Sequence, residues 1–423
     1  MLQPPKSVQV ALELQVEGMT QFLVPSAGHL RPRPLLHLLS CANIGQQVGT
    51  ITCLNFLRFG LYSVFLIGLL LASLSAVLFG TITFVSQLGL FLVFAYLVRF
   101  IEGVSMAVLW STVLAILSAI YPTRPAAVYS LLDTTYGLGL SLGPVLGSLL
   151  FSFSGFLLPF LACGGAILAT GLLSLPQIGP LTIAAEKHIT SGLPSPRPLF
   201  SSPSLITALL TTSTVAFSAY GYTMPLLELH LSSLNLTTTS IGFCFLTFSA
   251  TYTAVTILCG LVSDTYIQPW TICLTGLSSL FLSFVCLGPS PFLPLPSTIP
   301  FKIAGLVLQG LGTGCVFVAS YSCALKATLQ LPEFPEDITT YSLVSSLWTA
   351  AYALGSFLGT SLAGLLYDNL GWRWGCATVQ CLLLVTIALS LRAASSVDNV
   401  SDYIELDGSN EEDKVENGIS DEK

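Results

Sequence analysis

The chain has 423 residues, 53% of them hydrophobic and only 8% charged, with a mean hydropathy of +0.81. A soluble domain carries roughly a quarter charged residues, so the composition excludes a water-soluble enzyme or a nucleic-acid binder and describes an integral membrane protein. The net charge of -7 is concentrated in an acidic C-terminal tail and identifies no partner. In chain order, residues 1–56 hold apolar fragments such as 34–41 but no clean run of bilayer length and no arginine-flanked signal peptide, and they stay unassigned.

Beyond them, a ruler of roughly 20 apolar residues predicts spans near 60–83, 88–119, 127–151, 156–175, 205–227, 241–262, 270–287, 303–325, 341–366 and 375–391. The chain is therefore all-α. A connection rich in Pro and Ser, 176–203, carries Lys187, His188 and Arg197 and reads as a cytoplasmic linker. It separates a bundle with four visible spans, 57–175, from one with six, 204–391. The tail, 392–423, turns polar past Ser395 and is predicted to be disordered. Its Tyr403-Ile404-Glu405-Leu406 fits the tyrosine-x-x-bulky pattern that membrane-sorting adaptors read, or a chance match in a short tail.

Placing the tail in the cytoplasm puts Arg58, Arg124, Lys187, Arg197, Lys326 and Arg392 inside and leaves Lys302 and Arg373 outside, in agreement with the positive-inside rule. The same orientation sets Asn235-Leu236-Thr237, an N-glycosylation sequon, on the lumenal side. The 11 cysteines lie mostly within apolar runs, with no C-x-x-C pair and no Cys/His cluster, so they read as buried thiols rather than a disulfide framework or a metal site. No G-x-x-x-x-G-K-[ST] occurs, which argues against an ATP-driven pump. No cofactor is expected.

Two kinds of residue carry functional information. The first is glycine. Gly139, Gly143 and Gly147 recur every fourth residue with Pro144 set among them and Gly137 just upstream, forming a small-residue stripe against which a neighbouring membrane helix can pack. The second is charge at membrane depth, which is costly and marks function by default. Arg99 and Glu102, three residues apart, share one helix face as a mutually neutralising pair or as a gate whose partners change. Asp133 stands just before the glycine stripe, where a desolvated carboxylate is able to exchange protons near neutral pH; the alternative is a carboxylate still wet at the helix end. Glu228 follows Pro225 by one turn and suits a cation, or marks the membrane boundary, and His230 beyond it reads as interfacial. Asp264, in a short loop after Gly260, either ties helix ends together or is simply exposed. Trp348, Tyr352, Tyr220, Tyr222 and Tyr321 offer faces to an organic cation or serve in packing.

At these residues the chain resembles the major facilitator superfamily, in particular its drug:proton antiporter-like group with the vesicular amine transporters, and within it the vesicular polyamine transporter branch. Arg99-Phe100-Ile101-Glu102-Gly103 resembles that group's fourth-helix R-x-x-Q-G, with Glu102 for glutamine. Gly139–Ser148 resembles its fifth-helix G-x-x-x-G-P-x-x-G-G, with Ser148 for the last glycine. The segment Gly355, Gly359 and Gly364 resembles the counterpart in the second bundle, with Thr360 in the proline place. Residues 365–374 resemble the loop before the last helix, and Gly260–Asp264 the opening of G-x-x-x-D without its following basic residues.

The resemblance covers about 59–391. It implies twelve helices in two six-helix bundles around a central cavity, of which the first two are not visible here, and alternating access. It implies export of a polyamine or another organic cation into an acidic vesicle in exchange for protons. Asp133 and Glu228 would handle substrate and proton, and Arg99, Glu102 and Asp264 would serve gating. Met224 stands where the group often has an acid before the proline. The implied partners are a small organic cation, protons, the bilayer and a sorting adaptor at the tail. The competing expectations are a plasma-membrane drug or metabolite exporter and a truncated, non-transporting membrane protein.

Overall fold

The computed structural model describes residues 40–50, 60–85, 87–186, 198–234, 236, 238–263, 266–288 and 298–420. Every element among them is helical. Helix α1 covers 40–50. It is followed by α2 (Leu61–Thr81), α3 (Leu88–Ile120), α4 (Pro125–Ser154) and α5 (Leu157–Glu186), which form the first bundle. The second bundle holds α6 (Pro203–Ala216), a π-helical turn (Phe217–Thr223), α7 (Met224–Ser232), α8 (Thr238–Ser263), α9 (Pro269–Leu287), α10 (Ile299–Leu329) and α11 (Ile338–Ser420).

Proline sets several of these starts. Pro125, Pro203 and Pro269 each stand in the first turn of their helix, where the missing N–H costs nothing. Ser202 caps α6, its Oγ accepting the Leu205 N–H at 3.4 Å. Gly371, at φ 74°, breaks α11 and turns the chain between two membrane crossings.

All ten apolar runs are helical, yet among the described residues seven helices are long and apolar enough to cross a membrane. One of the seven, Ile338–Ser395, joins the last two runs across Gly371. The fifth run is divided by the π turn, and α4 has the full length at lower hydropathy because it carries Asp133 and a row of Ser, Thr and Gly.

Three expectations change. Residues 40–50, in the unassigned segment, form a helix whose Gly45 meets the α3 backbone at Phe100 and whose Gly49 meets it at Val104. Polar Gln46 and Gln47 hide that helix from a hydropathy ruler. Helix α5 continues eleven residues into the predicted linker; Lys187, His188 and Arg197 lie outside the described residues. The tail expected to be disordered extends α11 as helix to Ser420, since adding a residue to an existing helix avoids the cost of nucleation. Tyr403 and Leu406 lie on that extension. Asn235 and Asp264 lie outside the described residues.

Within the first bundle α2 packs on α3 and α5; within the second α10 packs on α9, α8 and α6, and α11 on α6 and α9. Between the bundles α4 runs against α8, and α3 against α11. The α4–α8 seam joins Ser130 to Gly260, Gly137 to Thr253 and Ser141 to Ser249, the last by a 3.0 Å hydroxyl bond. Most of the buried core lies in the second bundle and continues into α3 and α4 at Leu114, Ala115, Ala126, Val128 and Tyr129.

Candidate functional site

Asp133 sits on the α4 face that meets the second bundle and is 2% exposed. Its carboxylate accepts hydrogen bonds from Tyr252 Oη at 2.5 Å, Thr256 Oγ1 at 3.4 Å and Tyr129 Oη at 3.4 Å. Tyr129 lies one turn before it on α4, while Tyr252 and Thr256 lie one turn apart on α8. Among the described residues no Lys, Arg or His pairs with it. Hydroxyl donors offset part of the desolvation of a buried carboxylate but leave its charge uncompensated.

Beside this acid lies a cluster of rings from both bundles. Tyr129 stacks on Tyr321 of α10 at 5.5 Å and meets Trp348 of α11 edge-on at 4.9 Å. Trp348 stacks on Tyr352 at 6.1 Å, and Tyr352 meets Tyr220 at 5.7 Å and Phe317 at 5.7 Å. Tyr136 joins from α4, 6.3 Å from Tyr220 and 6.1 Å from Trp110 of α3. Tyr136 keeps 38% of its surface open and the Trp110 Nε1–H lacks a partner among the described residues, so the cluster still has a face and a donor to offer.

The π turn sets which tyrosines enter. Its wider winding places Tyr220 among the cluster and sends Tyr222 to Trp372, 5.9 Å away, and Phe284. Gln309 of α10 donates to Thr223 Oγ1 at 2.8 Å, which itself donates to Ser218 O, giving the turn side-chain hydrogen bonds. The π turn lies just upstream of Pro225. Four of the five aromatics singled out in the sequence meet here; Tyr222 does not. Tyr129, Tyr136, Trp110, Phe317, Tyr252 and Thr256 were missed. Tyr129, four residues before an intramembrane acid, was the one legible signal.

Glu228 is half-buried on α7, eight residues beyond Tyr220. His230 stacks on Trp372 at 4.2 Å, and its Nε2 lies 2.8 Å from the Nζ of the buried Lys302. Lys302 and the Trp372 indole N–H both donate to Leu287 O. This joint fastens the ends of four second-bundle elements, so His230 is a structural residue rather than a simple interfacial one.

Arg99 and Glu102 form an ion pair at 2.8 Å, with side chains 14% and 29% exposed. The guanidinium also lies 4.1 Å above the Phe79 ring of α2, a cation–π contact. All three residues belong to the first bundle, so the pair as it stands spans no inter-bundle gate.

The glycine stripes differ from expectation. At Gly139 and Gly143 an added methyl group would meet nothing within 4 Å among the described residues. Gly147 is half-buried, and the Pro144 side chain lies outside the described residues. Gly139 is two residues from Gly137, a rotation of about 200°, which turns the stripe away from the α8 seam. In the second bundle, by contrast, Gly355 touches the Ser213 backbone, Gly359 touches Gly221 in the π turn, and Gly364 is buried.

The bundles are tied together at the end that bears Arg124 and Lys326. Ser118 and Tyr321 share a 2.7 Å hydrogen bond, Tyr321 reaches Ser345 at 3.1 Å, and Leu61, Ile116 and Ile338 pack together.

Residues 29–333 match the Major Facilitator Superfamily, beginning inside the segment that hydropathy left unassigned. The chain is similar to the MFS-type transporter SLC18B1 of Homo sapiens, 28% identical over 364 residues, which cover 84% of this chain and 76% of that protein. It is also similar to SLC18B1 of Rattus norvegicus, 28% identical over 337 residues, 77% of this chain and 71% of that one. The synaptic vesicular amine transporter of Rattus norvegicus is 23% identical over 242 residues, 56% of this chain and 43% of that one. Among solved structures, the human organic anion transporter MFSD10 (TETRAN) superposes with a TM-score of 0.62 at 17% identity, covering 91% of this chain and 89% of that one. That likeness concerns the fold alone.

Proposed function

The chain belongs to the major facilitator superfamily, and from that premise we propose that this multi-pass transporter exchanges protons for a polyamine or another organic cation, moving it into vesicles. One observation carries the reading: Asp133, buried between the bundles, has hydroxyl donors and no cationic partner among the described residues. Such a carboxylate is neutralised by a proton or by a cationic ligand, and the two compete for one site. The adjoining ring cluster suits the ligand's ammonium and methylene groups, at about 0.5–2 kcal/mol per cation–π contact. A lone acid among aromatic faces repels an anion, which favours a cation over an anionic substrate.

Exchange follows from the position of the acid. Tyr252 and Thr256 of the second bundle donate to Asp133 of the first, so its charge state affects how firmly the bundles are joined at α4 and α8. A proton arriving from an acidic compartment displaces the cation and weakens these hydrogen bonds; loss of the proton restores them. Glu228, farther along α7, is assigned to the substrate's path as a second acid. Arg99, Glu102 and Asp264 are assigned to gating, with the Arg99–Glu102 pair acting through first-bundle packing. The vesicular location rests on likeness to the synaptic vesicular amine transporter; the same site would serve an exporter at the cell surface.

The test is uptake of radiolabelled spermidine by proteoliposomes under an imposed proton gradient. Accumulation that a protonophore releases, lost in Asp133→Asn and reduced in Glu228→Gln, is the expected result. Accumulation unchanged by both substitutions refutes the assignment.

A further inference from the structure

Cys259 of α8 and Cys315 of α10 lie with their sulfur atoms 3.4 Å apart, although 56 residues separate them in sequence. Both are free thiols; Cys315 is buried and Cys259 is only half-buried. A disulfide needs a sulfur–sulfur separation of about 2.05 Å, a little over an ångström less than the present contact. The surroundings favour closure. Helices α8 and α10 already touch where Gly310 and Gly314 meet the backbone of Phe248 and Tyr252, and Gly276 of α9 backs the Cys315 side chain.

The position of the pair gives it a consequence. Tyr252, Thr256 and Cys259 follow at spacings of four and three, so they share one face of α8. The first two hold the Asp133 carboxylate. Gly314, next to Cys315, packs on Thr256 and on the Tyr252 carbonyl.

We propose that Cys259 and Cys315 form an oxidisable dithiol whose disulfide clamps α8 to α10 and thereby fixes the helix face that holds Asp133. A peroxide is the oxidant. The thiolate of the more accessible Cys259 attacks one peroxide oxygen, giving a sulfenic acid and hydroxide, which takes up a proton to become water. The Cys315 sulfur then displaces the sulfenic hydroxyl, which leaves as a second water. Two thiols lose two electrons and two protons, and one hydrogen peroxide becomes two waters. An external thiol reverses the bond.

The test uses the full chain in proteoliposomes treated with hydrogen peroxide. Non-reducing peptide mapping should recover an α8 fragment joined to an α10 fragment, absent in Cys259→Ser and in Cys315→Ser. Oxidation of the exposed Cys163 and Cys381 shows that the reagent arrived. If those two are modified while Cys259 and Cys315 stay free, the dithiol is refuted. Spermidine uptake should be lost on oxidation of the native chain, recover with dithiothreitol, and persist in oxidised Cys259→Ser. A bridge that forms without slowing uptake overturns the clamp. The uptake arm rests on the proposed role of Asp133 and the mapping arm does not, so untreated protein without uptake would count against that role alone.

Discussion

Asp133 and the Arg99–Glu102 pair both place charge at membrane depth, and they solve the same electrostatic problem in opposite ways. Arg99 finds its counter-charge three residues away and an aromatic face on the neighbouring α2. That charge is settled within one bundle. Asp133 has polar donors from two bundles and no positive partner among the described residues. A charge met within its own bundle is neutral at rest, whereas a carboxylate that lacks a counter-charge is open to a proton or cation that arrives.

The largest test of this contrast is Asp133→Asn. It removes the charge and keeps the shape, so cation uptake should fall about 100-fold or more, as expected when roughly 3 kcal/mol of a buried charge interaction is lost, while the amount of folded protein in the membrane holds. Uptake near the native level would refute the role proposed for Asp133. Opposite behaviour is expected of Glu102→Gln: thermal unfolding in detergent should shift down by the equivalent of about 1–2 kcal/mol, less than for a fully buried pair because both side chains keep some solvent. Uptake per folded molecule should fall far less than in Asp133→Asn, since the pair contacts no part of the ring cluster and is proposed to act through gating.

Within the ring cluster, Trp348→Ala should raise the spermidine KM about 10-fold, equivalent to ~1.4 kcal/mol, and leave folding intact enough to measure it. Tyr222→Phe, removing a hydroxyl outside the cluster, should leave KM unchanged. The two glycine stripes should differ in stability rather than in transport. Gly359→Ala forces a methyl group onto the Gly221 backbone and should destabilise by about 1–3 kcal/mol. The same change at Gly143, where no described residue lies within 4 Å of the added methyl group, should fall within about 0.5 kcal/mol of neutral in unfolding measurements.

Much of this was legible one helix at a time. Arg99 and Glu102 stand three apart and pair as the helical period dictates. Asp133 was conspicuous because a carboxylate in an apolar run has no cheap explanation. The Gly355–Gly359 spacing led to a true close approach. What stayed hidden depends on the neighbour. The same spacing at Gly139 and Gly143 does not meet α8, because periodicity names a face without saying what stands opposite. Tyr252 and Thr256 looked like ordinary residues of α8 until packing brought them to Asp133, 119 and 123 residues away. The π turn escaped because its cause is not confined to its own residues: Gln309 and Gly359 support it from α10 and α11.

By itself the sequence determined the medium, the helices and the family likeness, since hydropathy, helical period and short motifs are properties of consecutive residues. Tertiary structure alone decided which acid lacks a counter-charge among the described residues, which tyrosines gather beside it and which two of the described cysteines touch. Those facts depend on distances between helices, and the chain fixes such distances only when side chains from separate segments pack.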